Sequence, residues 1–475
     1  MMGLWHVVWQ APFGIGLLID FVLAAWATVH ILLHKRQVAS AVGWLGLAWF
    51  VPLLGPVMYL LLGINRVQRR ARRLRRNDRA GDGPGADGTD KAVGQLQALA
   101  RSNGRITDRP LLGATVGPVY HNGDEAYPAM LKAIASARRS VALSSYIFCG
   151  DRWGGRFIEA LADAHRRGVE VRVLIDGIGG GWLWGRAYRR LRRLGVPAAR
   201  FMHSFLPWRM PFLNLRTHKK VLVVDGLLGF TGGINISDDN VQATRPREPV
   251  QDLHFRVEGP VVCQLMEAFA QDWSFQTDEE LDGDAWCPDI PEQEHAVPAR
   301  VIDSGPDADL EKVEFAALQA VSCARHSIAV MTPYLLPDDR LVSALSMAAM
   351  RGVDVDLVIP IRSDHRFVDW AVRANSAPLL SDGVRIWQSP PPFHHAKLMV
   401  VDGEWCLVGS ANWDMRSFRL NFELCVEVYD RALATELSDF MKRCRHAPLT
   451  MGDLKRRPLP VRLRDAAARL MLPYL

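Results

Sequence analysis

The chain has 475 residues, of which 49% are hydrophobic and 23% charged, so it is long enough for two or three domains with a well-buried core. Its formal net charge of +6 at pH 7 favours an anionic partner, a class that includes phospholipid head groups and nucleic acid. The seven cysteines show no CxxC or metal-ligand spacing, which argues against a structural zinc site and predicts reduced thiols in a cytosolic compartment.

Two apolar stretches near the N-terminus predict a transmembrane hairpin within residues 1–66. They run from about Phe13 to Leu33 and from about Val42 to Ile64, and each is close to the roughly 20 residues that a helix needs to cross a bilayer. Asp20 is costly in hydrocarbon unless it faces the other helix or lies near an interface. Arginines are far more frequent after the second stretch than between the two, so the C-terminal portion is expected in the cytoplasm.

Residues 67–109 are predicted to form a basic juxtamembrane segment and a linker. The part from Ala80 to Asp90 is rich in Gly and Asp and has almost no apolar residue, which is typical of a flexible tether. The arginines before it can lie against anionic lipid.

Two segments further along repeat the same order of elements. Ser140–Asp176 and Ser327–Pro360 each read as an apolar strand, a loop, a helix that stops at Arg-Gly, and a second apolar strand. Each is a βαβ unit. The repeat predicts two α/β halves, over residues 110–290 and 291–447, that are related by a pseudo-twofold axis.

A polar motif also occurs once in each half. The first copy is His218-x-Lys220-x4-Asp225 followed by Gly232, Gly233 and Asn235, and the second is His395-x-Lys397-x4-Asp402 followed by Gly409, Ser410 and Asn412. Alternate side chains of a strand share a face, so each half places one imidazole and one ammonium group on one surface. If the two surfaces meet, they form one pocket with two histidines and two lysines.

Such a pocket suits a phosphodiester. One imidazole can attack phosphorus and the other can donate a proton to the departing alkoxide, while the lysines hold the non-bridging oxygens. Neither a metal nor a cofactor is required, because the ammonium groups supply the positive charge.

Four further kinds of residue are expected to support the site. Asn235 and Asn412 are candidate hydrogen-bond donors, and the small residues, Ser410 among them, let the backbone approach phosphate. Asp252 and Glu423 lie in the next predicted strands, and one is expected to orient each histidine. Asp225 and Asp402 belong to the motif, but their odd spacing and position at a turn indicate that they hold the strand rather than touch substrate.

The paired motif resembles that of the phospholipase D superfamily, and the chain is similar along most of its length to the bacterial cardiolipin synthase branch. The segments FVPLLGPVMYLLLG, PFLNLRTHKK and TPYLLPD contribute to this likeness. It implies an α/β fold with two phospholipase D-like halves that share one active site in a bacterial inner-membrane protein. It also implies a phosphatidyl transfer from one phosphatidylglycerol to another, with His218 as nucleophile and His395 as general acid and base.

Alternatives remain open on the sequence. A phospholipase D-type hydrolase, a nuclease or another phosphatidyltransferase would use the same four residues, although the hairpin argues against nucleic acid, and a non-catalytic membrane scaffold conflicts with two intact motifs. Tyr146 and Tyr334 fit core packing and substrate contact equally well. The apolar loop Phe201–Leu215 is interpreted either as membrane-dipping or as core, and the amphipathic tail 448–475 either as lying on the bilayer or as docked on the protein.

Overall fold

The computed structural model describes residues 3–35, 38–63, 94–181, 185–203, 215–291, 294–306 and 309–470. It divides into an N-terminal helical unit and a second, larger unit that contains both predicted halves. The basic segment, the Gly/Asp-rich tether and most of the apolar loop Phe201–Leu215 lie outside the described residues.

The N-terminal unit contains one helix that is long enough to cross a membrane. Its elements are α1 (Gly3–His34), α2 (Val38–Phe50), α3 (Leu54–Met58) and a π-helical turn (Tyr59–Gly63). Among the described residues only Gly16–His34 meets the length and hydropathy of a span. The second apolar stretch breaks after Phe50, because Pro52 cannot continue the helix and Leu53 adopts a positive φ of 59°. The prediction of two spans is therefore supported for the first span and not for the second.

Asp20 lies opposite this break. Its carboxylate Oδ1 accepts the backbone N–H of Leu53 at 2.6 Å. An unsatisfied N–H and an isolated carboxylate would each be costly in hydrocarbon, so the contact satisfies both. Asp20 thus faces the second apolar segment, which is one of the two positions expected for it from the sequence.

The second unit is a mixed α/β structure. Its helices are α4 (Gln97–Thr107), α5 (Asn122–Ser136), α6 (Arg152–Arg166), α7 (Arg186–Arg193), α8 (Val261–Thr277), α9 (Lys312–Cys323), α10 (Asp339–Met350), α11 (Arg366–Ser381), α12 (Met415–Arg419), α13 (Arg431–Arg443), α14 (Met451–Lys455) and α15 (Leu459–Arg469). Short 3₁₀ turns span Gly94–Leu96, Asp238–Asn240 and Gln242–Thr244.

The strands of the first half precede Val297. They are β1 (Leu112–His121), β2 (Ser140–Ser145), β3 (Glu170–Asp176), β4 (Ala198–Phe201), β5 (Arg216–Thr217), β6 (Val221–Val224), β7 (Leu228–Gly232), β8 (Val250–Gln251) and β9 (Leu253–Glu258). Those of the second half are β10 (Val297–Ser304), β11 (Ser327–Met331), β12 (Leu335–Leu336), β13 (Asp354–Pro360), β14 (Arg385–Ser389), β15 (Phe393–His394), β16 (Leu398–Val401), β17 (Trp405–Gly409), β18 (Trp413–Asp414), β19 (Asn421–Val428) and β20 (Ala447–Leu449).

One continuous sheet joins the halves with mirrored strand order. The order is β20-β14-β13-β11-β16-β17-β19-β10-β1-β9-β7-β6-β2-β3-β4, so equivalent strands lie at equal distances from the central β10–β1 pair. The repeated βαβ units pair in parallel in both halves, β2 with β3 and β11 with β13. This confirms the prediction of two pseudo-twofold-related α/β halves.

The local sequence explains why a helix begins at the same place in each βαβ repeat. Asp151 caps α6 by accepting the N–H of Gly154, and Asp338 caps α10 by accepting the N–H groups of Arg340 and Leu341. The motif strands β6 and β16 are fully buried between the helical layers. Each half therefore holds its motif strand rigidly inside its own core.

One cysteine expectation is wrong. Cys263 of α8 and Cys287 of the following loop form a disulfide, with their Cα atoms 5.2 Å apart. The 24-residue separation is set by how the loop returns to the helix, which no sequence spacing reveals. The remaining cysteines, Cys149, Cys323, Cys406, Cys425 and Cys444, are free.

The described part of the C-terminal tail docks on the second half. The Arg464 guanidinium lies 4.2 Å from the ring centroid of Trp370 in α11, and Asp465 and Ala468 of α15 are buried. The other face of α15 exposes leucines. Docking on the protein, one of the two alternatives, is the arrangement found.

Candidate active site

Two short strand pairings carry each motif histidine to the opposite half. β5 pairs in parallel with the start of β19, and β15 pairs in parallel with β8. As a result the backbone N–H of His218 donates to the Phe422 carbonyl at 2.8 Å, and that of His395 donates to the Gln251 carbonyl at 2.7 Å. Each histidine is thereby placed beside the residue that follows the acceptor, and that residue is a carboxylate.

His218 is held in one tautomer. Its Nδ1 lies 3.0 Å from Oε2 of Glu423 and 2.9 Å from the carbonyl oxygen of Ser410. Both neighbours are acceptors, so Nδ1 carries the proton and Nε2 carries the lone pair. Burial lowers the pKa of His218 to about 4, although Glu423 acts in the opposite direction. His218 is therefore a neutral imidazole at pH 7 with Nε2 available for attack.

His395 occupies the equivalent position in the second half. Its Nδ1 lies 2.8 Å from Oδ2 of Asp252, and the Nζ of Lys397 lies 2.8 Å from the same nitrogen. Burial and the charge of Lys397 lower the pKa of His395. Its ring centroid is 6.3 Å from that of His218, with the ring planes 83° apart. The structure thus brings both predicted histidines, and both predicted carboxylates, into one cluster.

Both carboxylates stay ionised despite deep burial. Burial alone would raise the pKa of Glu423, but the hydrogen bond with His218 and the charge of Lys220 hold it below its ordinary value. In the same way, Lys397 and the hydrogen bond with His395 offset burial and lower the pKa of Asp252. An ionised carboxylate behind each imidazole can stabilise the imidazolium that forms when that ring takes up a proton.

The two lysines complete the cluster. Lys220 Nζ donates to the His218 carbonyl at 2.7 Å, and Lys397 Nζ donates to the His395 carbonyl. Burial, together with the charge of Lys397, lowers the pKa of Lys220 to about 7, and burial lowers that of Lys397 to about 8. Two buried ammonium groups that repel each other favour an anion between them.

Asp225 and Asp402 lie away from this cluster. Asp225 accepts the backbone N–H groups of residues 138–140, and Asp402 accepts those of residues 325–327, at 2.7–3.1 Å. Both stand at the far end of the motif strand, about seven residues and roughly 20 Å from the histidine. They anchor the turn after the motif strand to the start of the neighbouring strand β2 or β11.

The glycine-serine difference between the two motifs has a structural cause. Ser410 Oγ donates to Oε2 of Glu423 at 2.6 Å. At the equivalent Gly233, an added Cβ would lie 2.2 Å from Oδ2 of Asp252. Ser410 therefore provides a hydrogen bond to Glu423, whereas Gly233 leaves the space that Asp252 occupies.

The two asparagines are buried beside the cluster. Asn235 Oδ1 accepts the backbone N–H of Ile147 at 3.2 Å. Asn412 Oδ1 has no hydrogen-bond partner among the described residues, and its backbone N–H donates to Ser417 Oγ. Asn235 thus has a structural contact, while Asn412 retains an unused acceptor.

Tyrosines from the repeated segments border the cluster. The ring of Tyr146 is 5.0 Å from that of His218, with Lys220 Nζ 5.4 Å from the Tyr146 centroid. Tyr334 donates to Asp364 Oδ1 at 2.6 Å and packs near Phe393. Both tyrosines lie at the edge of the cluster.

Sequence reasoning missed Arg216 and Arg416. Burial and Asp176 raise the pKa of Tyr146, whereas the charges of these two arginines act to lower it, which places both near that ring. Phe393 occupies the position of Arg216 in the second half, and Asp239 that of Arg416 in the first. Because the arginines do not repeat, comparing the halves does not find them; the two-residue spacing from Arg216 to His218 is the one available signal.

His394, beside the motif histidine, points elsewhere. Its Nε2 is 3.9 Å from Cys444 Sγ, and its ring is 6.0 Å from that of Phe440. Among the described residues there is no group of three or more His, Cys, Asp or Glu side chains that could hold a metal ion.

Two family models and two relatives match this chain. The family model described as "Cardiolipin synthase, PLD-like domain" matches residues 130–273 and 317–445, and that described as "Phospholipase D-nuclease N-terminal" matches residues 22–63. A cardiolipin synthase of Geobacillus thermodenitrificans is 34% identical over 93% of this chain and 90% of its own. Cardiolipin synthase 2 of Staphylococcus epidermidis is 30% identical over 95% of each chain.

A solved structure shares the fold. The crystal structure of a phosphatidylserine synthase from Haemophilus influenzae superimposes with a TM-score of 0.61 at 13% identity, over 80% of this chain and 100% of that one. The two matched regions fall in the two halves that contribute the paired histidines. This chain belongs to the cardiolipin synthase family of the phospholipase D superfamily, a family of membrane-associated phosphatidyltransferases.

Proposed function

We propose that this chain synthesises cardiolipin by transferring a phosphatidyl group from one phosphatidylglycerol to a second through a phosphohistidine, with release of glycerol. The observation that carries the proposal is the crossed arrangement of His218 with Glu423 and His395 with Asp252 around two buried lysines. It provides one imidazole for each face of a phosphodiester.

In the first step Nε2 of His218 attacks phosphorus and the bond to the glycerol oxygen breaks. Nδ1 of His218 donates to Glu423, which stabilises the positive charge that develops on the ring. His395 gives its proton to the departing glycerol oxygen, and the two lysines hold the non-bridging oxygens. A bound phosphodiester anion raises the pKa values of His395 and of both lysines, because it supplies the negative charge that they lack when the site is empty.

In the second step the terminal hydroxyl of another phosphatidylglycerol attacks the phosphohistidine. His395, now neutral, accepts the hydroxyl proton, and the P–N bond to His218 breaks. The product is cardiolipin and the enzyme returns to its starting protonation state. Water in place of the second lipid would give phosphatidic acid, so a dry site is needed for synthesis.

The overall reaction is tested with the full chain and phosphatidylglycerol labelled in its head group. We expect cardiolipin and free glycerol in equal amounts. Phosphatidic acid with glycerol and no cardiolipin would identify a hydrolase, and absence of turnover would support a scaffold. Adding phosphatidylethanolamine or serine to the same assay tests the other acceptors.

The roles of the histidines are tested with a phosphatidyl ester of p-nitrophenol, whose leaving group needs no acid. His395→Ala should release p-nitrophenol and accumulate enzyme labelled at His218. His218→Ala should form no labelled enzyme. His394→Ala is the matched control and should behave as the unmodified enzyme. Label on His395 in the His218→Ala variant would reverse the roles.

We propose that anionic membrane lipids are the partners, and that the catalytic unit lies on the cytoplasmic side of the bacterial inner membrane. The arginine excess after the second apolar stretch supports this side. The Cys263–Cys287 disulfide favours the opposite side, because disulfides persist in oxidising compartments. Labelling of a cysteine introduced at exposed Lys455 by a membrane-impermeant maleimide, in intact and in permeabilised cells, decides between them.

A further inference from the structure

A basic cavity outside the histidine cluster has no role in the proposed chemistry. It has a volume of about 370 Å³, opens to solvent, and lies between the loop that follows β13 and the first turns of α11. Its lining residues are Ile361, Arg362, Arg366, Asp369, Trp370 and Arg373.

The charges in this cavity do not balance. Three guanidinium groups face one carboxylate, and Asp369 already accepts the backbone N–H of Ser363 at 3.0 Å. In the part of the chain that the structure describes, none of the three arginines forms a salt bridge. A cavity with more guanidinium groups than carboxylates is suited to phosphate, which the planar guanidinium binds in a bidentate manner.

Exposed apolar side chains flank the same cavity. α15 packs on α11 through Arg464 and Trp370, and its outer face presents Leu459, Leu463 and Leu470 with 64%, 61% and 76% of their surface exposed. Phe367, in the first turn of α11, is 40% exposed. Leucines beside arginines are the pattern of a helix that lies in a membrane interface, with its apolar side chains among the acyl chains and its cations among the head groups.

We propose that this cavity binds the phosphate of an anionic phospholipid at the bilayer surface, while the leucines of α15 and Phe367 enter the acyl region. Charge complementarity selects the anionic lipid, and the apolar rim selects a bilayer over a soluble phosphate. The site goes beyond the proposed transfer reaction and does not depend on it.

The cavity communicates with the active site through the loop that forms its wall. Asp364 of this loop accepts from Tyr334 at 2.6 Å, the Tyr334 ring is 6.4 Å from that of Phe393, and Phe393 is 5.8 Å from His395. A lipid held in the cavity therefore lies at the same edge of the sheet as the catalytic histidines. It would keep this edge against the bilayer from which substrate enters.

The test uses the full chain with His218→Ala, so that lipid is not consumed, in phosphatidylcholine bilayers that contain phosphatidylglycerol with a diazirine in its acyl chain. Crosslinks mapped by mass spectrometry should fall in residues 361–373 and 459–470. Arg366→Gln with Arg373→Gln should lower this labelling by about 30-fold, since each of the two cations near an anionic surface contributes about 1 kcal/mol. Arg166→Gln with Arg431→Gln is the matched control, because both of these arginines are exposed and lie outside the cavity.

Further arms separate the possible ligands. Leu459→Asn with Leu463→Asn should also lower the labelling, and these substitutions leave the core intact because both leucines are exposed. Equal labelling by a diazirine phosphatidylcholine, or unchanged labelling in the arginine double variant, would overturn the proposal. The proposal would also be overturned if inorganic phosphate, added before crosslinking, lowered the labelling as much as dioleoylphosphatidylglycerol does.

Discussion

His218 and Glu423 come from opposite halves of the sheet, yet Nδ1 of the first lies 3.0 Å from Oε2 of the second. His395 and Asp252 form the reciprocal pair at 2.8 Å. Neither half therefore contains a complete histidine–carboxylate pair, and the proposed active site exists only where the halves meet.

This crossing predicts that carboxylates of one half control histidines of the other. Glu423→Gln should lower kcat at least about 100-fold, because the amide cannot stabilise the charge that develops on His218. The loss should lie in phosphoenzyme formation, measured as the burst of p-nitrophenol from the activated ester. Asp252→Asn should spare that burst and slow cardiolipin formation; loss of the burst in Asp252→Asn alone would contradict the crossed assignment.

Substitution by alanine should have different effects at the two small residues of the motif, Gly233 and Ser410. Gly233→Ala should abolish activity, because its Cβ would lie 2.2 Å from Oδ2 of Asp252. Ser410→Ala should retain activity with a loss of about 10- to 100-fold, since it removes one hydrogen bond to a charged group, worth about 1.5–3 kcal/mol. Initial rates of cardiolipin formation check both, and comparable rates in the two variants would show that Gly233 is not sterically constrained.

Lys220 should contribute to activity at the expense of stability. Its pKa is about 7 in the folded state and 10.5 in the unfolded chain, so the unfolded chain binds more protons between these values. Stability attributable to this group therefore rises as pH rises from 7 towards 10.5 and is lowest at or below pH 7. Lys220→Met should be inactive but unfold at a higher temperature at pH 7, by at least about 2 °C.

The measurement is thermal unfolding of the full chain at pH 7 and pH 10. The advantage of Lys220→Met over the unmodified protein should shrink at the higher pH. Lys455→Met, at an exposed position, serves as the control and should show no such pH dependence. A lower unfolding temperature for Lys220→Met at pH 7 would mean that its contacts outweigh the cost of burial.

The lysine pKa values also predict the pH dependence of catalysis. Deprotonation of Lys220 near pH 7 and of Lys397 near pH 8 removes the charge that attracts phosphate, so kcat/KM should begin to fall above about pH 7 and fall further above about pH 8. At saturating lipid the fall in kcat should occur at higher pH, because bound phosphate raises both lysine pKa values. Activity should persist below pH 6, because His218 stays neutral down to a pKa of about 4. Initial rates between pH 5 and 10, in micelles of constant charge, test this order.

A buried ion pair away from the active site should govern stability. Glu427 accepts from Asn103 at 2.7 Å and from Trp405 and Tyr429 at 3.1 Å, and it pairs with Arg300 at 2.7 Å. Glu427→Gln leaves the Arg300 charge buried and uncompensated and should cost about 3 kcal/mol. Denaturant unfolding measures the loss, and Asp163→Asn, which breaks the exposed pair with Arg166, should change stability by less than about 1 kcal/mol.

Much of the fold follows from local patterns. Apolar periodicity and the repeated Arg-Gly helix stops predict both βαβ units, because strands and helices bury their faces with fixed periods. The spacing of His218, Lys220, His395 and Lys397 likewise predicts one shared cluster. The broken second apolar stretch was missed, because overall hydropathy outweighed the effect of Pro52 on helix continuation.

The amino-acid sequence by itself determined which groups we propose for the chemistry: two histidines, two lysines and two candidate carboxylates, each fixed on its strand by residue order. Only the tertiary structure decided their partners. Strand pairs β5–β19 and β15–β8 cross between the halves, so Glu423 serves His218 and Asp252 serves His395. The disulfide and the arginine cavity are likewise visible only in the tertiary structure, because contacts between distant segments depend on how the chain folds back on itself.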